Sequence, residues 1–399
     1  MPFRSQSNPD SELLILTPEM CSTDFQREWK QLEQESLSGN AFLSPEFVLS
    51  MADVRPAHNQ PIILACRNQR QNRLIGLGVF DQVKATRALP LPHWISIHCP
   101  HSFRSGLLVA ENSRTEFYQL LTNFLTQKQD ELLGIEFRNL RLKSQWAQEL
   151  RDYAAEHRGS FRLLPESESP AVDLQLLPEE GLSALWSSSR RKSIRKNQNR
   201  LSKYGPIQFR LVEKRTEFEA ALNHFLRLEE ASWFLRLEEA SWKGSLGTAL
   251  QSSQNDLKFI RQLIQQAKRS DYLVISQLLT GEDVVATALN FRSGRELFAF
   301  KIAWNDQFEK CSPGILHEVA LVDHIISRKL PFDRIDSCSS AGSYLEKLWL
   351  DRVAIGSGML SMSTLARGTG KVISQLQSLK RWAANLTQTA TLGTDDPLK

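Results

Sequence analysis

Apolar strand-like runs and amphipathic helical stretches alternate along this chain. The alternation occurs twice, on either side of a basic segment that contains no acid. Such an order requires sheets covered by helices, an α/β architecture. In the first series Leu13–Leu16 is a short apolar run, and Phe25 to Leu37 sets Phe25, Trp29 and Leu32 at helical spacing. Pro61–Arg67 and Leu74–Gln82 flank the polar NQRQN and predict a hairpin. Trp94–His98, Gly106–Val109, Leu133–Phe137 and Phe161–Leu164 read as further strands, and Phe117–Gln127 and Ser144–His157 as helices. The polar, proline-bounded Pro165–Pro170 reads as a linker. In the second series Ile207–Val212, Leu273–Leu279, Val284–Phe291, Glu296–Ala303 and Phe332–Ser337 read as strands. Phe218–Trp242, Leu257–Lys268 and Ile315–Ser327 read as helices, and Tyr344–Leu350 opens a last unit.

The length of 399 residues predicts two or three domains at roughly 100–200 residues each. A hydrophobic fraction of 41% and a charged fraction of 24% suit chains that bury real cores, which excludes disorder and fibrous repeats. Lys+Arg at 49 against Asp+Glu at 45 is too slight a bias to argue for nucleic acid by itself. Cys21, Cys66, Cys99, Cys311 and Cys338 are scattered and form no CxxC pair, so a reducing compartment is expected. The run Leu13–Leu16 is too short for a signal-peptide core, and no stretch has the ~18–20 apolar residues of a membrane span. A cytoplasmic protein is the expectation.

Between the two series, Glu180 to Tyr204 predicts a helix with Trp186, Ile194 and Leu201 near one face. From Gly181 to Val212 there are eight cations (Arg190, Arg191, Lys192, Arg195, Lys196, Arg200, Lys203, Arg210) and no acid. This is either a solvated face or a surface for an anionic partner: cofactor phosphates, a lipid-linked substrate, a membrane surface or RNA. Phe225–Trp233 reads FLRLEEASW, and Phe234–Trp242 repeats it verbatim. Nine residues at about 100° turn a helix by about 900°, half a turn out of register. Two copies cannot bury the same face of one straight helix, which points to a tandem duplication with a surplus copy partly exposed.

His93, His98, Cys99 and His101 lack the spacing of a structural zinc site, and His317 and His324 lack HExxH, so no metal is assigned. There is no G-x-S-x-G elbow. Arg367–Lys371 fails as a phosphate loop because Leu365 and Val372 stand where Gly and Ser/Thr are needed. The stretch Leu297 to Trp349 is the most informative. A strand there meets Cys311-Ser312-Pro313-Gly314, where Ser312 suits an N-cap and Pro313 the first turn of a helix. A helix start behind a strand offers free N–H groups to phosphate, so Lys310, Cys311, Ser312, Pro313, Gly314 and Ile315 are the expected phosphate contacts.

Five segments in order now carry a resemblance: SSSRRKSIRKNQNRLSKYG, the helix ending SWKG at Ser241–Gly244, DYLVISQLLTGEDVVATALNF, LFAFKIAWNDQFEKCSPGILHEVAL and FDRIDSCSSAGSYLEKLWLDR. Together they resemble the bacterial double-GNAT acyltransferases of the CelD-like, cellulose-biosynthesis kind, relatives of the Fem-type aminoacyl transferases. The likeness covers roughly Leu13 to Met362.

The resemblance implies two GNAT-like domains, each a mixed sheet flanked by helices: a degenerate one over 1–165 and an acyltransferase domain over 166–362, with 363–399 a helix and tail. It implies direct transfer from acetyl-CoA or another acyl-CoA to an amine or hydroxyl, with surface-polysaccharide biosynthesis as the setting. Asp336 and Glu346 are then expected bases, Tyr344 an acid, and Arg191, Arg195, Lys301 and Trp304 substrate contacts. The chain lacks a clean Q/R-x-x-G-x-G/A loop, since Arg352 to Gly358 has the wrong spacing. Two alternatives follow: Fem-like transfer from aminoacyl-tRNA held by the basic helix, and a non-catalytic GNAT pair that binds a partner.

Overall fold

The computed structural model describes residues 5–8, 10–85, 92–97, 99–239, 250–251 and 253–363. In the first series β1 (Ser5–Asn8) and β2 (Ser11–Leu16) precede α1 (Thr23–Glu35) and α2 (Pro45–Ala52). β3 (Ile62–Asn68), β4 (Arg73–Val83), β5 (His93–Ser96) and β6 (Leu108–Val109) lead to α3 (Arg114–Gln127), β7 (Ile135–Arg141), α4 (Gln145–Glu156) and β8 (Ser160–Asp173). Phe25, Trp29 and Leu32 of α1 are buried as their spacing predicts, and Ser22 Oγ accepts from the Phe25 N–H to start the helix.

In the second series α5 (Leu182–Leu185) and α6 (Ser188–Leu201) precede β9 (Ile207–Leu211), α7 (Phe218–Glu239) and α8 (Gln254–Ala267). β10 (Leu273–Thr280), β11 (Asp283–Ser293) and β12 (Glu296–Trp304) lead to α9 (Pro313–Ser327), β13 (Arg334–Asp336) and β14 (Asp351–Ser361).

Among the described residues the strands join one fourteen-stranded sheet in the order β1-β2-β3-β4-β5-β7-β14-β8-β13-β12-β11-β10-β9, with β6 paired to β4. Among the described strands, only β5 with β7 and β12 with β13 pair in parallel. Each is bridged by a helix, α3 and α9, as parallel pairs require. The two halves meet at β8 and β14, which pair antiparallel along their length.

Two expectations are corrected here. Pro165–Pro170 is not a linker but the middle of β8, paired to β14 from Arg352↔Pro170 to Gly356↔Pro165. The basic helix does not run unbroken from Glu180. Trp186 is extended, Ser187 Oγ accepts from the Arg190 N–H, and α6 starts afresh.

The second half of the sheet is covered on both faces. α7 and α8 bury Phe225, Phe259 and Leu263 against Phe291, Phe298 and Phe300, in a core continuous with the first half. α6 and α9 bury Ile194, Leu201, Leu316 and Val322 against Leu278, Val285 and Leu297 on the other face. Each such side chain contributes roughly 1.5–3 kcal/mol.

Candidate active site

The parallel strands β12 and β13 separate after a short contact. They pair at Glu296↔Arg334, Leu297↔Ile335 and Phe298↔Asp336, and β13 ends there while β12 continues to Trp304. At the point of separation β12 bulges. Leu289 of β11 faces Lys301 and the next residue, Asn290, faces Ala299, so Phe300 is the extra residue. Among the described residues, β12 past Phe298 therefore has a strand neighbour on one side only, and its outward backbone groups open into a wedge.

On one side of this wedge α9 begins. A short 3-10 turn, Asp306–Cys311, leads into Ser312, whose backbone is left-handed at φ 51° and ψ 59°. Ser312 makes no side-chain cap bond, contrary to its expected role, because its left-handed backbone replaces the extended cap conformation. Pro313 does occupy the first turn, and the first intrahelical bond runs from Leu316 N–H to Ser312 O. Gly314 and Ile315 thus keep N–H groups without an intrahelical acceptor, at the positive end of a helix dipole. A Cβ on Gly314 would lie 3.5 Å from the Trp304 ring, so this glycine packs on β12. The Arg200 guanidinium of α6 donates to Lys310 O (3.1 Å), setting the basic helix beside this turn. Farther in, Glu318 is buried close to the exposed Tyr344. Glu346 is half-buried and accepts from the Gly342 N–H (2.7 Å).

The other side is built partly by the first half of the chain. After β5 and β7 diverge, the chain returns and Ser105 bridges Leu140, donating its N–H to Asn139 O (3.2 Å). This fills the first half's own wedge. The loop that makes the return crosses to β12. His101 Nε2 meets Asp256 Oδ1 of α8 at 2.8 Å, and its ring lies parallel to Phe259 (5.6 Å) and edge-on to Phe300 (6.1 Å). A carboxylate only accepts, so Nε2 carries the proton and Nδ1 holds the lone pair. Nδ1 is buried with no hydrogen-bond partner among the described residues. Burial and the Lys301 charge hold the imidazole below its usual range, against the pull of Asp256. Burial also depresses the Lys301 ammonium, opposed by Glu229 of α7 and by Asp256. Burial raises the Glu229 carboxyl, which accepts from the Leu250 N–H (2.8 Å).

Asp336 sits where β13 ends, fully buried between two arginines of the first half. Arg104 donates from Nε and Nη2 (3.0 and 2.6 Å), Arg141 from Nε and Nη2 (3.0 and 2.9 Å), and the Cys338 N–H adds a fifth bond (2.8 Å). Burial alone would raise this carboxyl; the two guanidinium charges overcome it and hold it far below the usual carboxylate range.

The structure thus separates the residues that the sequence grouped. Lys301 faces α7 and α8, whereas Trp304 faces α9. Arg191 and Arg195 lie on the exposed side of α6, and Arg191 turns back onto the carbonyls of Ser183 and Trp186. Sequence spacing does not single out Asp256, Glu229, Arg104 or Arg141, and it offers His101 only as a metal ligand. Of the other histidines singled out in the sequence, His93 meets Glu136 (3.2 Å), His317 meets Ser276 (3.0 Å) and His98 lies outside the described residues. No group of His, Cys, Asp and Glu suited to a metal occurs among the described residues.

Comparison with known proteins follows this geometry. No curated protein matches the chain. Among solved structures, it is similar to the C-terminal domain (DUF2156) of a protein described as a lysylphosphatidylglycerol synthetase from Agrobacterium fabrum. The identity is 9% and the TM-score 0.49, over 84% of this chain and 91% of that one. It is similar to FemX at 11% identity and a TM-score of 0.46, over 84% and 95% of the two chains. A tandem GNAT protein from the clavulanic acid biosynthesis pathway aligns at 8% identity and a TM-score of 0.38, over 88% and 97%. The segment that carries the wedge, α6, α9 and Asp336, residues 188–342, matches the family model of the acetyltransferase (GNAT) domain.

Proposed function

We propose that the chain transfers an acyl group from an acyl-CoA such as acetyl-CoA to an amine or hydroxyl acceptor at the β12 bulge. The observation that carries this reading is the pairing of an opened strand with a helix start on one face and a histidine–carboxylate pair on the other. The donor residues present suit a phosphorylated co-substrate: the free Gly314 and Ile315 N–H groups and the neighbouring Arg200 of α6 favour pyrophosphate. Such a thioester supplies an activated carbonyl and a thiolate leaving group. The chain's own groups do the rest. N–H groups of β12 past Phe298 donate to the carbonyl oxygen as charge develops on it. His101 Nδ1 takes the proton of the acceptor, with Asp256 fixing the tautomer and steadying the imidazolium. The Tyr344 hydroxyl can return a proton to the leaving sulfur.

Asp336 is poorly suited to the role of base, because two guanidiniums occupy its oxygens; in this reading it fixes the wedge. A sugar amine or hydroxyl in surface-polysaccharide biosynthesis is the acceptor that the resemblance favours. His101→Gln should lower kcat on the order of 10²–10⁴-fold while the protein stays folded and acyl-CoA still raises its thermal midpoint. Wild-type turnover by this variant would end the assignment. Aminoacyl-tRNA as donor is the second reading, favoured by the α6 cations. A thermal-shift screen of acetyl-CoA, longer acyl-CoAs and tRNA separates the two, since only a ligand of the folded state stabilises it. Protection by tRNA alone, lost with salt, would replace acyl-CoA as donor.

A further inference from the structure

The face of α6 turned away from the protein is not used by the site just described. Ile194, Asn197 and Leu201 are its buried residues. At about 100° per residue, Lys192 and Lys196 fall roughly 160–200° from Ile194, along the line farthest from the core, and Lys203 follows in the turn just past the end of the helix. All three are exposed, as is Arg195 on their flank. Among the described residues none of these four has an acidic partner, and the nearest acids in sequence are Glu180 and Glu213. Arg191 and Arg200, by contrast, are turned onto backbone carbonyls.

The ends of this helix carry a second feature. Seven large apolar side chains are exposed among the described residues, and three of them bracket α6: Leu185 before it, at 44%, and Tyr204 and Ile207 after it, at 62% and 36%. A line of lysines bracketed by leucine, tyrosine and isoleucine suits the boundary between lipid headgroups and acyl chains. There the ammonium groups meet phosphate, the aliphatic groups leave water, and tyrosine sits at the polar level.

We propose that α6 and its two ends dock the protein on a membrane surface rich in anionic phospholipid. RNA would also attract the lysines, but leucine and isoleucine offer bases no stacking surface, and the aliphatic pair decides for lipid.

The test is flotation of the full chain with phosphatidylcholine vesicles and with vesicles that also contain phosphatidylglycerol. Binding is expected only to the second, and should fall as salt rises. Lys192→Glu, Lys196→Glu and Lys203→Glu combined should weaken it on the order of 100-fold or more, at about 1 kcal/mol per lysine near the surface. The Lys→Gln version guards against a structural effect of reversed charge. Leu185→Ser, Tyr204→Ser and Ile207→Ser combined should weaken it on the order of tenfold with an unchanged circular dichroism spectrum. Equal binding to both vesicle types, undiminished binding by either lysine variant, or undiminished binding by the apolar variant would each overturn the proposal. Lysine-dependent binding of tRNA without binding to either vesicle would assign the face to RNA instead.

Discussion

Asp336 was visible in the sequence as an acid at a strand end, but its partners were not, because Arg104 and Arg141 lie 232 and 195 residues away along the chain. Strand periodicity locates a carboxylate; it carries no information on which distant guanidinium will neutralise it. The consequence is testable. Asp336→Asn leaves the buried Arg104 without its carboxylate partner and Arg141 with Glu296 alone, and breaking such a group costs about 3–5 kcal/mol, to be read from urea unfolding. The pH sign follows from the depressed carboxyl. Its folded pKa lies below the unfolded value of about 3.9, so its contribution is present above that value and disappears as pH falls through the folded one. Wild-type stability should therefore drop more steeply in acid than that of Asp336→Asn. His101 gives a second pH prediction with an activity readout. Its imidazole is held below the ordinary range, so Nδ1 stays free to accept a proton below the usual histidine midpoint of about 6.5. The acidic limb of kcat/KM should lie below that midpoint and move upward in Lys301→Met, where one cause of the depression is gone. A limb that stays in place would detach the profile from His101.

Elements were more legible than contacts. α1, the β3–β4 hairpin, α4, β12 and α9 lie where apolar spacing put them, because each is fixed by its own few residues. The basic helix is shorter than its sequence suggests because helical periodicity runs through Trp186, whereas Ser187 restarts the helix by capping Arg190. β8 is longer than its sequence suggests because prolines and serines at 165–170 imitate a linker. The strand persists there because β14 pairs along it, which no local signal reveals. The duplicated nonapeptide is partly resolved by α7. Its first copy buries Phe225, Leu226 and Leu228 and sets Glu229 near Lys301, and the helix continues into the second copy to Glu239. Trp233 and Trp242, on which the expectation of a poorly packed indole rests, lie outside the described side chains. Removing either copy yields the same sequence, so one variant tests the idea. With 234–242 deleted, the chain should keep Phe225 in the core and Glu229 at the site, and run from Trp233 directly into Lys243-Gly244. Its thermal midpoint should equal or exceed that of the parent. An unfolded deletion variant would mean that both copies are built into the core.

At the scale of the whole molecule the chain's two halves exchange strands. β7, from the first half, pairs with β14 from the end of the second, while β13, from the second half, pairs with β8 from the end of the first. β8 and β14 then pair with each other and close one continuous sheet. The first half alone would leave β7 with an open edge, and the second would leave β13 with one. An unpaired row of backbone groups at the centre of a sheet is costly and invites aggregation. The loop carrying His101 and Arg104 adds to this dependence, since the wedge is completed by residues of the other half. Two bodies that each need the other's strand should behave as a single folding unit. The intact chain is therefore expected to unfold in one transition, with calorimetric and van't Hoff enthalpies in agreement. A fragment of residues 1–165, cut within β8, should show no cooperative transition by itself. Co-expression of 1–173 with 174–399 should recover the folded sheet, because the cut then falls after the last paired residue of β8, Asp173, and leaves every strand whole. Two separate transitions in the intact chain, or a sharply unfolding 1–165 fragment, would show that each half closes its own sheet in solution.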